Sequence, residues 1–170
     1  MFKNFKLIFR LIALDSTTIP LIAKNPSATI DGLLILFLAG MASMIGAKSI
    51  FEMEEYRQFA FDFTLNNVIF FAIFFIFSSI CYLGFSFLIA RSIGGKFKFR
   101  EYFRNMAFAN TINILNLFSG LSLLSNIWIF ILNYQILKKL NNFSGFQSFI
   151  TLLTSILSIF AFIILLLKYA

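Results

Sequence analysis

Residues 70–90 read FFAIFFIFSSICYLGFSFLIA, from Phe70 to Ala90, without one charged side chain. An uncharged apolar run beyond about 18 residues is the signature of a membrane-crossing helix. Further apolar runs flank it on both sides, so the stretch decides the class of the whole chain. The sequence predicts an all-α integral membrane protein. Five transmembrane helices are expected at about 30–47, 66–90, 103–119, 122–138 and 147–167, preceded by one or two short amphipathic interfacial helices. Residues 1–28 form the cytoplasmic, interfacial segment, and 29–170 the membrane domain.

Composition agrees. Hydrophobic residues make up 60% of the chain and charged residues 12%, far from the balance of a soluble domain. The formal charge of +7 is clustered, so it reads as topology rather than as a nucleic-acid surface. The chain has no histidine and one cysteine, Cys81. That removes the commonest general base and any multi-cysteine metal site, and leaves Cys81 as a small buried apolar residue. No nucleophile elbow, phosphate loop or metal motif is present, and no cofactor is expected.

The N-terminal residues MFKNFKLIFRLIAL place Phe2, Phe5, Phe9 and Ile12 at helical spacing. Lys3, Asn4, Lys6 and Arg10 fall on the remaining surface. This is a basic amphipathic helix suited to an interface plane. No cleavable signal follows, because charges interrupt the first fifteen residues. Asp15-Ser16-Thr17 offers an N-cap for a short helix with Pro20 in its first turn, and Asn25-Pro26 breaks it and starts the next. Asp31 sits at the entrance of the first span, where a carboxylate is favoured. Ala39 with Ser43, and Ala42 with Gly46, form small-xxx-small pairs that permit close helix contact.

The segment 48–65 carries Glu52, Glu54, Glu55 and Asp62 beside Lys48 and Arg57. It lacks the ligand spacing of a calcium loop and reads as a solvated connector. Gly94-Gly95 stops the second span. Basic residues favour the cytoplasmic side of short loops. Five crossings gather Lys3, Lys6, Arg10, Lys24, Arg91, Lys96, Lys98, Arg100, Arg104, Lys138 and Lys139 on one side. Lys48, Arg57 and Lys168 are left on the other. The N-terminus is therefore expected inside.

Asn110, Asn113 and Asn116 step along one face of the third span. Asn126 and Asn133 lie seven apart, hence on one face of the fourth. Amides in lipid must find partners. The series is either a polar seam lining a solute or ion path, or glue between helices; the absence of any charged side chain between Arg104 and Lys138 favours glue. Ser148, Thr151, Ser155, Ser158 and Ala161 share a face of the last span and should point into the bundle.

The stretch LIARSIGGKFKFREYFRNMAFAN, the hairpin, and then IWIFILNYQILKKLNNFS resemble the core of the Yip1 domain family. Gly94, Gly95, Phe99, Arg100, Phe103, Trp128 and Lys138 occupy its matching positions. Family members often carry a proline soon after the Tyr/Phe-Ala pair of the third span; here Asn110-Thr111 follow Phe108-Ala109. The resemblance implies five spans, a cytosolic N-terminus and a non-enzymatic role. It implies residence in the plasma membrane of a prokaryote, or in the endoplasmic reticulum or Golgi of a eukaryote. The long N-terminal region tied to GTPase recruitment in eukaryotic members has no counterpart.

The chain is thus expected to organise membrane or bind a partner. Lys3, Lys6, Arg10, Arg91, Lys96, Lys98, Arg100 and Arg104 would contact anionic lipid headgroups or an acidic partner. A membrane-protein partner or a second copy is compatible with the exposed apolar faces; nucleic acid is not expected. The rivals are a channel or transporter using the Asn-lined spans, and an accessory subunit of a larger complex.

Overall fold

The computed structural model describes residues 4–51 and 64–169. These residues are helical throughout the regular structure, with no strand among them. The elements run α1 (Phe5–Ile12), a 3₁₀ turn (Ser16–Thr18), α2 (Ile19–Lys24), α3 (Ala28–Phe51), α4 (Leu65–Ser92) and α5 (Phe99–Ala109). A 3₁₀ segment (Asn110–Leu117) and a 3₁₀ turn (Ser119–Leu121) then lead to α6 (Ser122–Asn141) and α7 (Gly145–Tyr169). Among the described residues, two helices are long and apolar enough to cross a membrane, over Ala28–Lys48 and Leu65–Ser92.

Each boundary has a local cause. Thr64 caps α4 by accepting from the Asn67 N–H. Gly94 ends α4 at φ +99°, a region open to glycine, while the Gly95 N–H reaches back to the Ala90 carbonyl at 2.8 Å. Glu101 accepts from the Lys98 N–H at 3.0 Å and fixes the start of α5. Asn142 takes the left-handed turn at φ 54° that closes α6. Ser144 and Gln147 then exchange hydrogen bonds, each side chain accepting from the other's N–H, and launch α7.

The third helix departs from the sequence expectation. It begins at Phe99, earlier than 103, and leaves α geometry after Ala109. The switch falls where the Asn110 amide nitrogen donates to the Met106 carbonyl at 2.8 Å. A side chain there competes for a carbonyl of the helix ladder, and tightening to 3₁₀ follows. The turn of the hairpin, 118–121, lies where expected. The first helices differ less. Asn25-Pro26 does break the chain, but α3 starts at Ala28, because Asn25 holds the Ser27 N–H and hydroxyl in a local turn.

Packing rests on small residues of α3. A Cβ on Gly32 would come within 2.7 Å of the Ala107 Cβ, and one on Gly40 within 2.9 Å of Ala72 on α4. A Cβ on Gly46 would reach 1.6 Å from the Asn116 carbonyl oxygen. Glycine therefore permits α3 to lie against α4, α5 and the 3₁₀ segment. α5 is the innermost helix: Tyr102, Phe103, Met106, Ala107, Phe108 and Ala109 are all buried. The polar connector expected at 48–65 falls largely outside the described residues, as do Phe2 and Lys3.

α1 and α2 fold back over α5 and α6. Ile8 and Leu11 are buried, while Phe5 and Phe9 stand outward, in edge-to-face contact at 4.8 Å. The apolar surface of α1 is therefore split between the bundle and the exterior. Asn4 does not lie on an outer polar surface. It is buried, donating to Ser27 and Asp31 and accepting from Asn25. Cys81, expected inside, is exposed on the outward side of α4.

Candidate functional site

Polar side chains from α3 to α6 meet inside the bundle at three levels. At one end of the hairpin, Asn116 donates to Ser43 of α3 at 3.1 Å and accepts from Ser125 of α6. Further along, Asn133 accepts from the Tyr102 hydroxyl at 2.7 Å and donates to the Tyr82 hydroxyl at 3.0 Å. One amide thereby ties α4, α5 and α6. Asn105, also buried, donates to the Glu101 carbonyl.

Between these levels lies a cavity of about 350 Å³. Its polar lining is Ser78, Ser79 and Tyr82 from α4 with Asn110 and Asn113 from the 3₁₀ segment. Leu83, Met106 and Ile129 complete it. Asn113 donates to the Asn110 oxygen at 2.9 Å. Its own buried oxygen, Oδ1, has no hydrogen-bond partner among the described residues. Ser78 is exposed, so the cavity reaches the side of the molecule.

Of the five asparagines of the expected seam, Asn110, Asn113 and Asn133 are buried, Asn116 is half-buried and Asn126 is not inside. Seven-residue spacing sets a common direction on a helix, not a common neighbour. At that level Ser125 takes the inward place. On α7, Ser148, Thr151 and Ser155 are fully buried, and each hydroxyl donates to the carbonyl four residues back. Ser158 is only half-buried and Ala161 is exposed, so the face runs out before the helix ends.

A second constellation occupies the end where α3 and α7 begin and α4 and α6 finish. Lys6, Lys24, Arg91, Lys96, Lys98, Arg100, Lys138 and Lys139 are exposed there. Gly95 cannot carry a Cβ without meeting Asn141 Oδ1 at 2.7 Å; that oxygen accepts from the Lys96 N–H at 3.0 Å. The Gly-Gly-Lys turn is thus clamped to the end of α6. Arg91 donates to the Gly95 carbonyl and lies 6.0 Å from the Phe87 ring centre. A groove of about 520 Å³ runs beside Ser16, Tyr134, Lys138, Lys139 and Phe143.

Two of the expected cations are engaged within the chain, Arg104 between helices and Arg10 in a partly exposed ion pair. Arg104 donates to the Ala23 carbonyl at 2.7 Å and to Thr29 at 2.8 Å, tying α2 and α3 to α5. Arg10 pairs with Asp15 at 2.6 Å. Thr17, first, and then Arg10 hydrogen-bond the Asp15 carboxylate and hold its pKa below the usual value. Lys3 lies outside the described residues.

No family model, curated protein or solved structure matches this chain. Sequence reasoning missed Tyr82, Tyr102, Ser78 and Ser79. A signal existed: Ser79, Tyr82 and Ser86 recur at helical spacing within an otherwise apolar run, which marks one face of α4 as inward.

Proposed function

We propose that the chain is a five-span integral membrane protein of the Yip1 type, with its N-terminus cytoplasmic. It acts without catalysis, gathering anionic lipid headgroups at its basic end. The polarity of the bundle supports embedding. Phe70, Phe74, Phe77, Leu124, Ile127, Leu157 and Phe160 are exposed, whereas Asn105, Asn133, Ser148 and Thr151 are buried. Such an inversion suits a hydrocarbon solvent.

The length of the third crossing supports five spans. Eleven α-helical residues rise about 16 Å, and eight 3₁₀ residues about another 16 Å, enough for a hydrocarbon core of about 30 Å.

The observation that carries the lipid reading is the exposed basic end with Phe5 and Phe9 turned outward beside it. Cations there attract an anionic surface, and aromatic rings enter its apolar margin. The channel reading gains less support, because Asn116 and Asn133 spend their amides on other helices. The test is lipid analysis of the protein purified in mild detergent. Anionic lipids should be enriched over the source membrane, and substituting Lys96, Lys98, Arg100, Lys138 and Lys139 by Gln should abolish the enrichment. An unaltered lipid ratio in the wild type sinks the proposal. A protein co-purifying in fixed ratio through the same residues would replace lipid with a partner.

A further inference from the structure

We infer that the groove at the end of α6 holds the headgroup of a lipid ending in a phosphate monoester, of the phosphatidic acid type, with an acyl chain laid along the same face of α6. This rests on the anionic-lipid reading above and narrows it to one site and one headgroup class. Three observations carry it.

The first is a set of unspent polar groups. Ser16, Tyr134, Gln135, Lys138, Lys139 and Asn142 line a groove of about 520 Å³. None of their side chains makes a hydrogen bond or an ion pair among the described residues. Other polar groups at this end are used within the fold. Arg91 holds Gly95, Arg104 holds Ala23 and Thr29, and Asn141 holds the Lys96 N–H.

The second is charge. Two ammonium groups line the groove and no carboxylate does. Asp15, the neighbour of Ser16, is not part of the lining, and Arg10 and Thr17 hold its oxygens. The end of a helix ordinarily turns bare carbonyls toward an anion and repels it. Here the Leu137 carbonyl accepts from the Asn141 amide at 3.2 Å, and the Lys138 carbonyl from the Phe143 N–H at 3.1 Å. A phosphate monoester carries a charge of about −1.5 to −2 at neutral pH and three strong acceptor oxygens. Two lysines with neutral donors around them match it better than they match a phosphate diester, with its single charge and two free oxygens.

The third is the amphiphilic face of α6. Leu124, Ile127, Trp128 and Ile131 precede the groove residues at steps of three and four, so they share one face with Gln135, Lys138 and Asn142. Leu124 is 61% and Ile127 49% exposed, so this apolar strip is uncovered. It rises about 10 Å, within one leaflet of a hydrocarbon core about 30 Å thick. The corner after α1 runs beside both parts: Ile12 accepts from the Trp128 indole, and Ser16 lines the groove. A free phosphate would use only the polar half of this face, whereas a lipid uses all of it.

For the experiment, the full chain in mild detergent is offered dioleoyl phosphatidic acid, phosphatidylglycerol and phosphatidylcholine in equal amounts, and bound lipid is counted by native mass spectrometry. Phosphatidic acid should exceed phosphatidylglycerol about fivefold, the worth of one further charge contact at a wet site. Lys138→Gln combined with Lys139→Gln should bring the two to parity, with phosphatidylglycerol still above phosphatidylcholine through the remaining cations. Lys96→Gln combined with Lys98→Gln should lower both anionic lipids together and keep their ratio. Inorganic phosphate in excess should not displace the bound lipid. Parity in the wild type, or a preference that survives the change at 138 and 139, overturns the proposal; the broader anionic-lipid reading then stands as long as both exceed phosphatidylcholine. Displacement by inorganic phosphate overturns the lipid as the occupant. If neither anionic lipid exceeds phosphatidylcholine in the wild type, the broader reading has failed and the groove falls with it.

Discussion

At the scale of the residue, Asn133 is the most consequential polar group in the bundle. It joins Tyr82 and Tyr102, and both hydrogen bonds are lost in Asn133→Leu. We expect a loss of about 1–2 kcal/mol in a denaturation titration in detergent. In a double-mutant cycle with Tyr102→Phe the two changes should be non-additive. Asn126→Leu, on an exposed surface, should lie within about 0.5 kcal/mol of the wild type. Equal effects at 126 and 133 would refute the assignment. The contrast also shows what sequence could reveal here. The amides were legible as residues needing partners, but the identity of each partner depended on helix crossings that spacing does not encode. Asn4 was misread for the same reason. Nothing in 1–14 indicates that Ser27 and Asp31 will fold back onto it.

Glycines make a second comparison at this scale. Gly46→Ala would drive a Cβ into the backbone of Asn116, which cannot rotate away. Gly84, near the middle of α4, has nothing within 4 Å of an added Cβ. We expect Gly46→Ala to cost about 1–3 kcal/mol and Gly84→Ala to be neutral or slightly stabilising, since alanine is the better helix former. Similar stability for both, measured by the same titration, would mean that α3 does not approach the 3₁₀ segment closely. Sequence offered Gly46 only as half of a common pattern; its meaning came from the neighbour across the interface.

At the scale of the element, α1 and the corner after it form the least embedded unit, and the chain contains a reporter for it. Trp128, the one tryptophan, donates from its indole to the Ile12 carbonyl at 3.0 Å. Its emission should therefore shift when α1 leaves α6. The corner is held by Asp15, which Thr17 and Arg10 stabilise in its charged form. Because its folded pKa lies below the unfolded one, this stabilisation is complete above the ordinary carboxylate range. It fades as pH falls through the lower, folded value. A Trp128 transition below the model-peptide value of 3.8 is expected, and Asp15→Asn should show displaced emission already at neutral pH without that acid step. An unchanged transition in the variant would assign it to other carboxyls. The cap at Asp15 was readable from Asp-Ser-Thr alone. The docking of the helix was not, because Phe5, Phe9, Ile8 and Leu11 are equally apolar and only tertiary contact sorts them into outward and inward sets.

At the scale of the whole molecule, the proposed role depends on which end faces which compartment. The α-helical class and the two longest apolar helices followed from composition and uncharged length, both properties of local sequence. The third expected span was less legible, because it is polar for a span and changes helix type partway. Its α-helical half is buried against α3, α4 and α6, and its 3₁₀ half packs on α3 and α6 with Asn110 and Asn113 turned inward. Apart from Lys48 and Lys168, the exposed cations gather at one end, and the positive-inside tendency would place that end on the cytoplasmic side. The prediction is tested by replacing Cys81 with Ser and introducing single cysteines as Arg57→Cys and Lys98→Cys. An impermeant thiol reagent applied to sealed, right-side-out cells should modify position 57 and spare position 98 until the membrane is permeabilised. The reverse pattern would invert the molecule. It would also remove the basic end from the anionic leaflet, and with it the proposed role. Modification of both before permeabilisation would mean an odd number of crossings fails between them, and the five-span arrangement would have to be abandoned.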